Sequence, residues 1–309
     1  MDTRDPHPTA CPFPGVHYNE RVVARPGSPA ALTANRAGRS RRWGLALASV
    51  ALCAAVFASA AQSPSAGEYR ERGAKLFFQR RPAEAAEQLR RSLELDPHQP
   101  GVLKLLGLCY ELTGEADRAE AAFRRACNLA PKDPEAWFFL GRLYYGENFF
   151  NKALPALTTA ARLDPRNPRI HTYLGLTLEA MGKVKEALSE HREAIKWNAR
   201  SRTPSFRPHY TYGALLSKLG RLRESEKQLL RARQLDPSVW ETHFELAKLY
   251  YKKGEWEAAL RELNDALRSG PLEPQAAGRL YHLLARVYFK LGREEEAQKA
   301  LSMRTEVLR

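Results

Sequence analysis

Sulfur is scarce in this chain of 309 residues, which holds four cysteines and three methionines. Cys11 and Cys53 fall early, leaving Cys109 and Cys127 in the remainder. No Cys-x-x-Cys pair and no Cys/His cluster of zinc-binding spacing occurs, so a structural zinc site is not expected. Cys109 and Cys127 read as small buried apolar residues, with a disulfide as the alternative in an oxidising compartment. Catalytic signatures are missing as well. There is no Gly-x-Ser-x-Gly elbow, no His-Glu-x-x-His zinc motif and no glycine-rich phosphate loop. The chain is therefore read as non-enzymatic, with no cofactor and no metal. Acidic residues are in deficit, 35 Asp+Glu against 49 Lys+Arg, for a formal net charge of +14. That balance suits acidic partners, nucleic acid or an anionic membrane surface.

Long apolar runs are also missing, with one exception. The stretch from Trp43 to Ala61 carries no charge and follows Arg36, Arg39, Arg41 and Arg42. With the small residues Ala58-Ser59-Ala60 near its end, it has the parts of a signal peptide. At about 19 residues it also suffices for a single membrane span, which is the alternative. In either case the arginines leave the N-terminus inside and the rest of the chain outside the cytoplasm. Residues 1–42, rich in Pro, Gly, Ser and Thr without hydrophobic periodicity, are expected to be disordered, and 62–67 reads as a linker.

What the chain does have is repetition. In Pro134 to Pro165, PEAWFFLGRLYYGENFFNKALPALTTAARLDP, two helical patterns lie back to back. Trp137, Leu140, Gly141 and Tyr144 share one face of the first, and Ala153, Leu157 and Ala160 share one face of the second. Gly141 and Ala153 are small enough for two backbones to approach, and Asp164-Pro165 stops the second pattern. Counting Pro134 as position 1, these residues reproduce the spacing of the tetratricopeptide repeat, and the stretch resembles that family. The same pattern recurs over about 66–99, 100–133, 134–167, 168–201, 206–239, 240–273 and 278–309. One hairpin cannot bury its own apolar face, so the resemblance implies an all-α, right-handed solenoid of about seven helix-turn-helix repeats across 66–309. Four-residue slips precede the fifth and seventh repeats. The first, Arg202 to Ser205, lies in the segment Arg200 to Arg207, which has lost the closing Pro and reads as a hinge or simply a longer loop. His171, His209 and His243 all take position 4, where the family packs an aromatic ring, and are read as packing residues before metal ligands.

The resemblance also implies a binding face, because such solenoids hold peptides or partner helices along positions 2, 5, 9, 12 and 13 of their first helices, with position 6 nearby. Transferred to this chain, those positions hold Arg70 and Phe77 in the first repeat, Lys104 in the second, and Phe138, Arg142 and Tyr145 in the third. Further on they hold Arg169 and Tyr173, then Arg207, Tyr210 and Lys218, then Phe244, Lys248, Tyr251 and Lys252, and finally Arg286 and Phe289. Aromatic anchors with basic groups suit a protein or peptide partner with acidic and apolar groups. Position 9 carries Ala74, Leu108 and Arg142, so the asparagine-based carboxylate clamp of chaperone-binding members is not reproduced. The leading expectation is an interaction scaffold of the cell envelope. The alternatives are an accessory protein that binds polysaccharide or assists its export and, more weakly, an RNA-binding helical repeat.

Overall fold

Fourteen α-helices and no strand occupy residues 64–309, the part that the computed structural model describes. The expected leader 1–42, the segment 43–61 and residues 62–63 lie outside the described residues. The helices form seven antiparallel pairs: α1 (Ala66–Phe78) with α2 (Pro82–Leu95), α3 (Pro100–Leu112) with α4 (Ala116–Leu129), α5 (Pro134–Gly146) with α6 (Phe150–Leu163), and α7 (Pro168–Ala180) with α8 (Val184–Asn198). Then come α9 (Arg207–Lys218) with α10 (Leu222–Leu235), α11 (Trp240–Lys253) with α12 (Trp256–Arg268), and α13 (Pro274–Lys290) with α14 (Glu294–Val307). Each pair touches the next, as a solenoid requires.

Local chemistry explains the boundaries. Proline opens α3, α5 and α7, where its missing N–H would have had no helical partner. Asp133 and Asn167 cap α5 and α7 by accepting from the backbone N–H of Glu135 and Arg169. Every pair turns at its fifteenth position with a left-handed residue. Five of these are glycines with φ between 72° and 79°, joined by Arg80 at 60° and Asn148 at 61°. The N–H after each turn residue bonds back to a carbonyl five residues earlier, as in Phe149 to Tyr144 at 2.8 Å and Lys183 to Leu178 at 2.8 Å.

The core is a ladder of close approaches. A Cβ on Gly141 would lie 2.6 Å from Leu157 Cγ and 3.1 Å from the Leu157 backbone nitrogen. Gly73 meets Leu89, Gly107 meets Phe123 and Gly213 meets Leu229 in the same way. The fourth pair departs, because Gly175 faces His191, which is fully buried where the others place Leu or Phe. Its Nε2 has no hydrogen-bond partner, and its Nδ1 lies 3.4 Å from Thr211 Oγ1. Cys109 and Cys127 are buried free thiols, both pushed up to about 12 by burial first of all. Pro155 sits within α6 without ending it.

Position 4 does more than pack. The ring nitrogens of Trp137, His171 and His243 each lie 3.0 Å from the carbonyl oxygen of the proline six residues earlier, Pro131, Pro165 and Pro237. The histidines also reach the second helix of their own pair, through Nδ1 to Glu190 at 2.7 Å and to Glu262 at 2.8 Å. His209, which follows the segment without a closing Pro, bonds Gln228 at 2.8 Å instead.

Both slips have structural explanations. In the first, buried Asn198 donates to the Ser205 carbonyl at 2.7 Å and accepts from the Ser205 N–H at 2.8 Å, while Phe206 is buried. The loop is thus clasped at its base, which favours the longer-loop reading over a free hinge. In the second, the four residues are absorbed into α13, which begins at Pro274 and buries Ala276 and Ala277.

Two outcomes follow from this packing. Gly141→Ala is expected to destabilise by about 1–3 kcal/mol through overpacking against α6. Gly146→Ala, at a helical position with nothing within 4 Å, is the control. Thermal melts that moved equally for the two would overturn the close-approach account. The histidines set a pH dependence of opposite signs. Burial lowers the His171 value, but the Glu190 hydrogen bond, the Pro165 carbonyl and the Glu190 charge together raise it above 6.5. His243 is raised chiefly by its hydrogen bond to Glu262. Their stabilisation is complete below about pH 6.5 and fades as pH rises through the raised folded values. His191 is held down to about 4 by burial. The unfolded chain takes up that proton first, so stability falls as pH drops from about 6.5 towards 4, by on the order of 3 kcal/mol. His191→Leu should flatten that acid limb of a Tm-against-pH series. An unchanged limb would show that His191 is not its origin.

Candidate partner-binding groove

The first helices of successive pairs, α1 through α13 in odd numbers, touch side by side. Their positions 2, 5, 9, 12 and 13 recur along one face, and the candidate residues there divide into three groups. At the centre, Phe138, Tyr145 and Tyr173 form one cluster, with Phe138 and Tyr145 each edge-on to Tyr173 at 5.5 and 5.7 Å. Arg169 lies over the Phe138 ring at 4.7 Å. Phe138 is buried and the two tyrosines are half-buried against the core. Burial, the largest cause, and the Glu179 charge raise the Tyr145 hydroxyl above its ordinary value. Towards the C-terminus, Arg286 lies over the Tyr251 ring at 4.6 Å and bonds its hydroxyl at 3.2 Å. Phe244 packs beside Trp240, and Tyr210 beside Phe206. The remaining residues stand apart. Arg70 is exposed on α1, Phe77 is half-buried edge-on to Phe78, and Phe289 is 46% exposed on α13.

The expected cations behave differently from one another. Lys104 Nζ lies 2.8 Å from Asp133 and 2.6 Å from Glu135. Arg142, buried, holds Glu111 at 2.5 Å. Lys218 bonds Glu179 at 2.6 Å, Lys248 bonds Glu245 at 2.6 Å, and Lys252 donates to the Ser217 carbonyl at 2.9 Å. These charges are engaged within the protein, most of them binding one first helix to the next. Sequence reading assigned Lys104, Arg142 and Lys248 to the partner, whereas the structure commits them to neighbouring carboxylates. A signal for two of these bridges was present. Lys104–Glu135 and Arg142–Glu111 are both opposite charges 31 residues apart, one repeat less a helical turn.

Arg169 differs. It is half-buried, and among the described residues no carboxylate lies within ion-pair distance of it. Burial first, then the charges of Arg142 and, more weakly, Arg207, lower its guanidinium from the ordinary value; Glu135 and Tyr173 oppose this. Arg207 lies over Phe206 at 5.6 Å and Arg279 over Trp240 at 5.5 Å, again without a carboxylate in reach. Arg279 was missed in the sequence, although it takes position 2 of the last repeat, as Arg169 and Arg207 do in theirs.

His243, Glu262 and Asp265 are the one grouping among the described residues whose ligand atoms could surround a metal ion. Here both His243 nitrogens are engaged, by Glu262 and by the Pro237 carbonyl, and the other Glu262 oxygen is paired with Arg233. The His171–Glu190 pair repeats the arrangement. The grouping is therefore a hydrogen-bonded clasp between helices.

Comparison with known proteins agrees with this architecture. A family model described as the C-terminal domain of cilia and flagella-associated protein 70 matches residues 31–280, and a tetratricopeptide repeat model matches 278–302. The chain belongs to this tetratricopeptide repeat family. The TPR repeat-containing protein YpiA of Bacillus subtilis (strain 168) is 27% identical over 128 residues, covering 41% of this chain and 28% of that protein. The match thus spans under a third of that relative's length. A tetratricopeptide repeat protein from Parabacteroides merdae superposes with a TM-score of 0.60 at 19% identity, over 79% of this chain and 97% of the other. A chain of the Cut9–Hcn1 hetero-tetramer of the APC/C superposes with a TM-score of 0.63 at 19% identity, over 71% of this chain and 43% of the other. These likenesses establish the fold. Helical repeat scaffolds of this kind serve protein–protein interaction.

The buried bridge gives a test. Arg142→Gln leaves Glu111 desolvated without its cation and is expected to cost on the order of 3 kcal/mol, whereas Arg142→Met with Glu111→Gln should cost much less. Equal urea midpoints for the two variants would show that the bridge does not organise α3 against α5.

Proposed function

We propose that this tetratricopeptide repeat protein is a non-enzymatic scaffold of the bacterial cell envelope that holds an acidic, partly apolar peptide or helix of a partner along its first helices. The observation that carries the binding part is the half-buried pair Tyr145 and Tyr173, backed by the buried Phe138 ring and lying beside Arg169. Aromatic rings bury a large area with few rotors to immobilise, and a cation at their margin gives orientation and charge selectivity. The scaffold acts by presentation: a row of helices already bridged to one another need not reorganise on binding, which limits the entropic cost of capture.

The envelope part rests on the sequence from Arg36 to Ala61, a basic flank followed by an uncharged run. No helix among the described residues is long and apolar enough to cross a membrane, and residues 43–61 lie outside them.

Two measurements test the reading. A photo-crosslinker in place of Phe289 should capture a partner from the envelope fraction, and Tyr145→Ala with Tyr173→Ala should cut that yield about tenfold, by the weight aromatic anchors carry in interfaces. Undiminished capture would remove the cluster from the interface. Fractionation with N-terminal sequencing should find a product beginning near Ala61 in the periplasm, or an intact chain in the membrane fraction if the segment is an anchor. An uncleaved cytosolic product would overturn the envelope assignment.

A further inference from the structure

The position-2 column of the first helices changes character midway along the stack. It reads Glu135 on α5, Arg169 on α7, Arg207 on α9 and Glu241 on α11. Glu135 is held by Lys104, which also pairs with Asp133, so the column's carboxylate at the α3–α5 boundary is already engaged. Across the next boundaries the column places two arginines on helices in direct contact. Among the described residues neither has a carboxylate within ion-pair distance, and each guanidinium lies against an aromatic ring, Phe138 at 4.7 Å and Phe206 at 5.6 Å. Arg142, beside Arg169, adds a third positive charge, which its bridge to Glu111 balances locally.

A half-buried arginine whose opposite charges lie beyond ion-pair distance has lost hydration for weak ionic compensation, which for Arg169 comes from Glu135. Stacking on a ring face leaves its N–H fork free for a planar, two-oxygen acceptor. Resting on the groove reading above, we infer that Arg169 and Arg207 form the anchor for a side-chain carboxylate of an acidic peptide segment crossing α5, α7 and α9, whose neighbouring apolar residue lies on Tyr145 and Tyr173. Here Arg169 lies directly beside the Phe138–Tyr145–Tyr173 cluster, so one extended segment meets both charge and rings. The chain's own first 63 residues are not complementary, since Arg4, Arg21, Arg25, Arg36, Arg39, Arg41 and Arg42 outnumber Asp2, Asp5 and Glu20. The anchor is also distinct from Lys104, Lys218 and Lys248, which their own carboxylates neutralise.

The test uses the full chain and a short fluorescein-labelled peptide of alternating Glu and Leu, read by fluorescence anisotropy. The same peptide with Gln for Glu is the comparison. The acidic peptide should bind, the Gln peptide should bind at least about tenfold more weakly, and Arg169→Gln with Arg207→Gln should weaken the acidic peptide by a similar factor, as expected for a charge-assisted bidentate contact. Lys104→Gln should change it by less than about twofold, because that charge is already neutralised. Arg169→Lys with Arg207→Lys keeps the charge but loses the fork and should fall between wild type and the glutamine pair; this variant carries the test should the glutamine pair not fold. Wild-type affinity in both arginine variants, with binding lost in Tyr145→Ala/Tyr173→Ala, would overturn the anchor and leave the groove standing. Indifference to every substitution would overturn both. Competition by inorganic phosphate well beyond chloride of equal ionic strength would also overturn the carboxylate assignment, in favour of a phosphate-bearing ligand.

Discussion

A helix pair in this protein closes on one contact, the place where a side chain of the first helix is reduced to a hydrogen or a methyl so that a large side chain of the second can lie across its backbone. Gly73, Gly107, Gly141, Gly175 and Gly213 meet Leu89, Phe123, Leu157, His191 and Leu229 there. Buried Ala247 and Ala285 stand at the same position in the last two pairs. The turn geometry follows from it: helices this close are joined by a few residues, and the left-handed residue at each fifteenth position makes the reversal. The groove follows as well, since close pairing sets the spacing at which one first helix meets the next.

Substitutions within this scheme are informative because the frame is otherwise constant. His191 occupies a leucine's place and is held there neutral, so the fourth pair carries an acid sensitivity. His171 and His243 occupy an aromatic residue's place and add something a phenylalanine could not, a two-ended bond from the preceding proline carbonyl to a carboxylate on the second helix. Where the closing proline is replaced by Ala199, that bond is missing, and Asn198 clasps the lengthened loop through Ser205. The chain thus answers a lost connection at the junction of the fourth and fifth pairs with a different polar contact.

The proposed binding face combines two kinds of positive charge that composition alone does not separate. Lys104 and Arg142 bridge first helices and stiffen the stack. Arg169 and Arg207 rest on rings and face no carboxylate. Net basicity is therefore a poor guide to where an acidic partner would sit, because a charge already paired across a helix boundary must break that pair before it offers anything to a ligand.

The fold was legible from residues because its determinants are local and periodic: Trp137, Leu140, Gly141 and Tyr144 on one face, Ala153, Leu157 and Ala160 on the next, a proline to close, all recurring at one spacing. The candidate residues of the binding face came instead from the family resemblance, which carries positions of the first helices onto this chain residue by residue. What each of those residues does was decided only in three dimensions. Whether Arg142 meets a partner or Glu111, whether Pro274 opens a loop or lengthens α13, and whether Arg169 is neutralised depend on which side chain of the adjacent pair arrives opposite. Ion pairs and ring contacts act over a few ångströms between residues about thirty positions apart, and that juxtaposition is a property of the stack rather than of any single repeat.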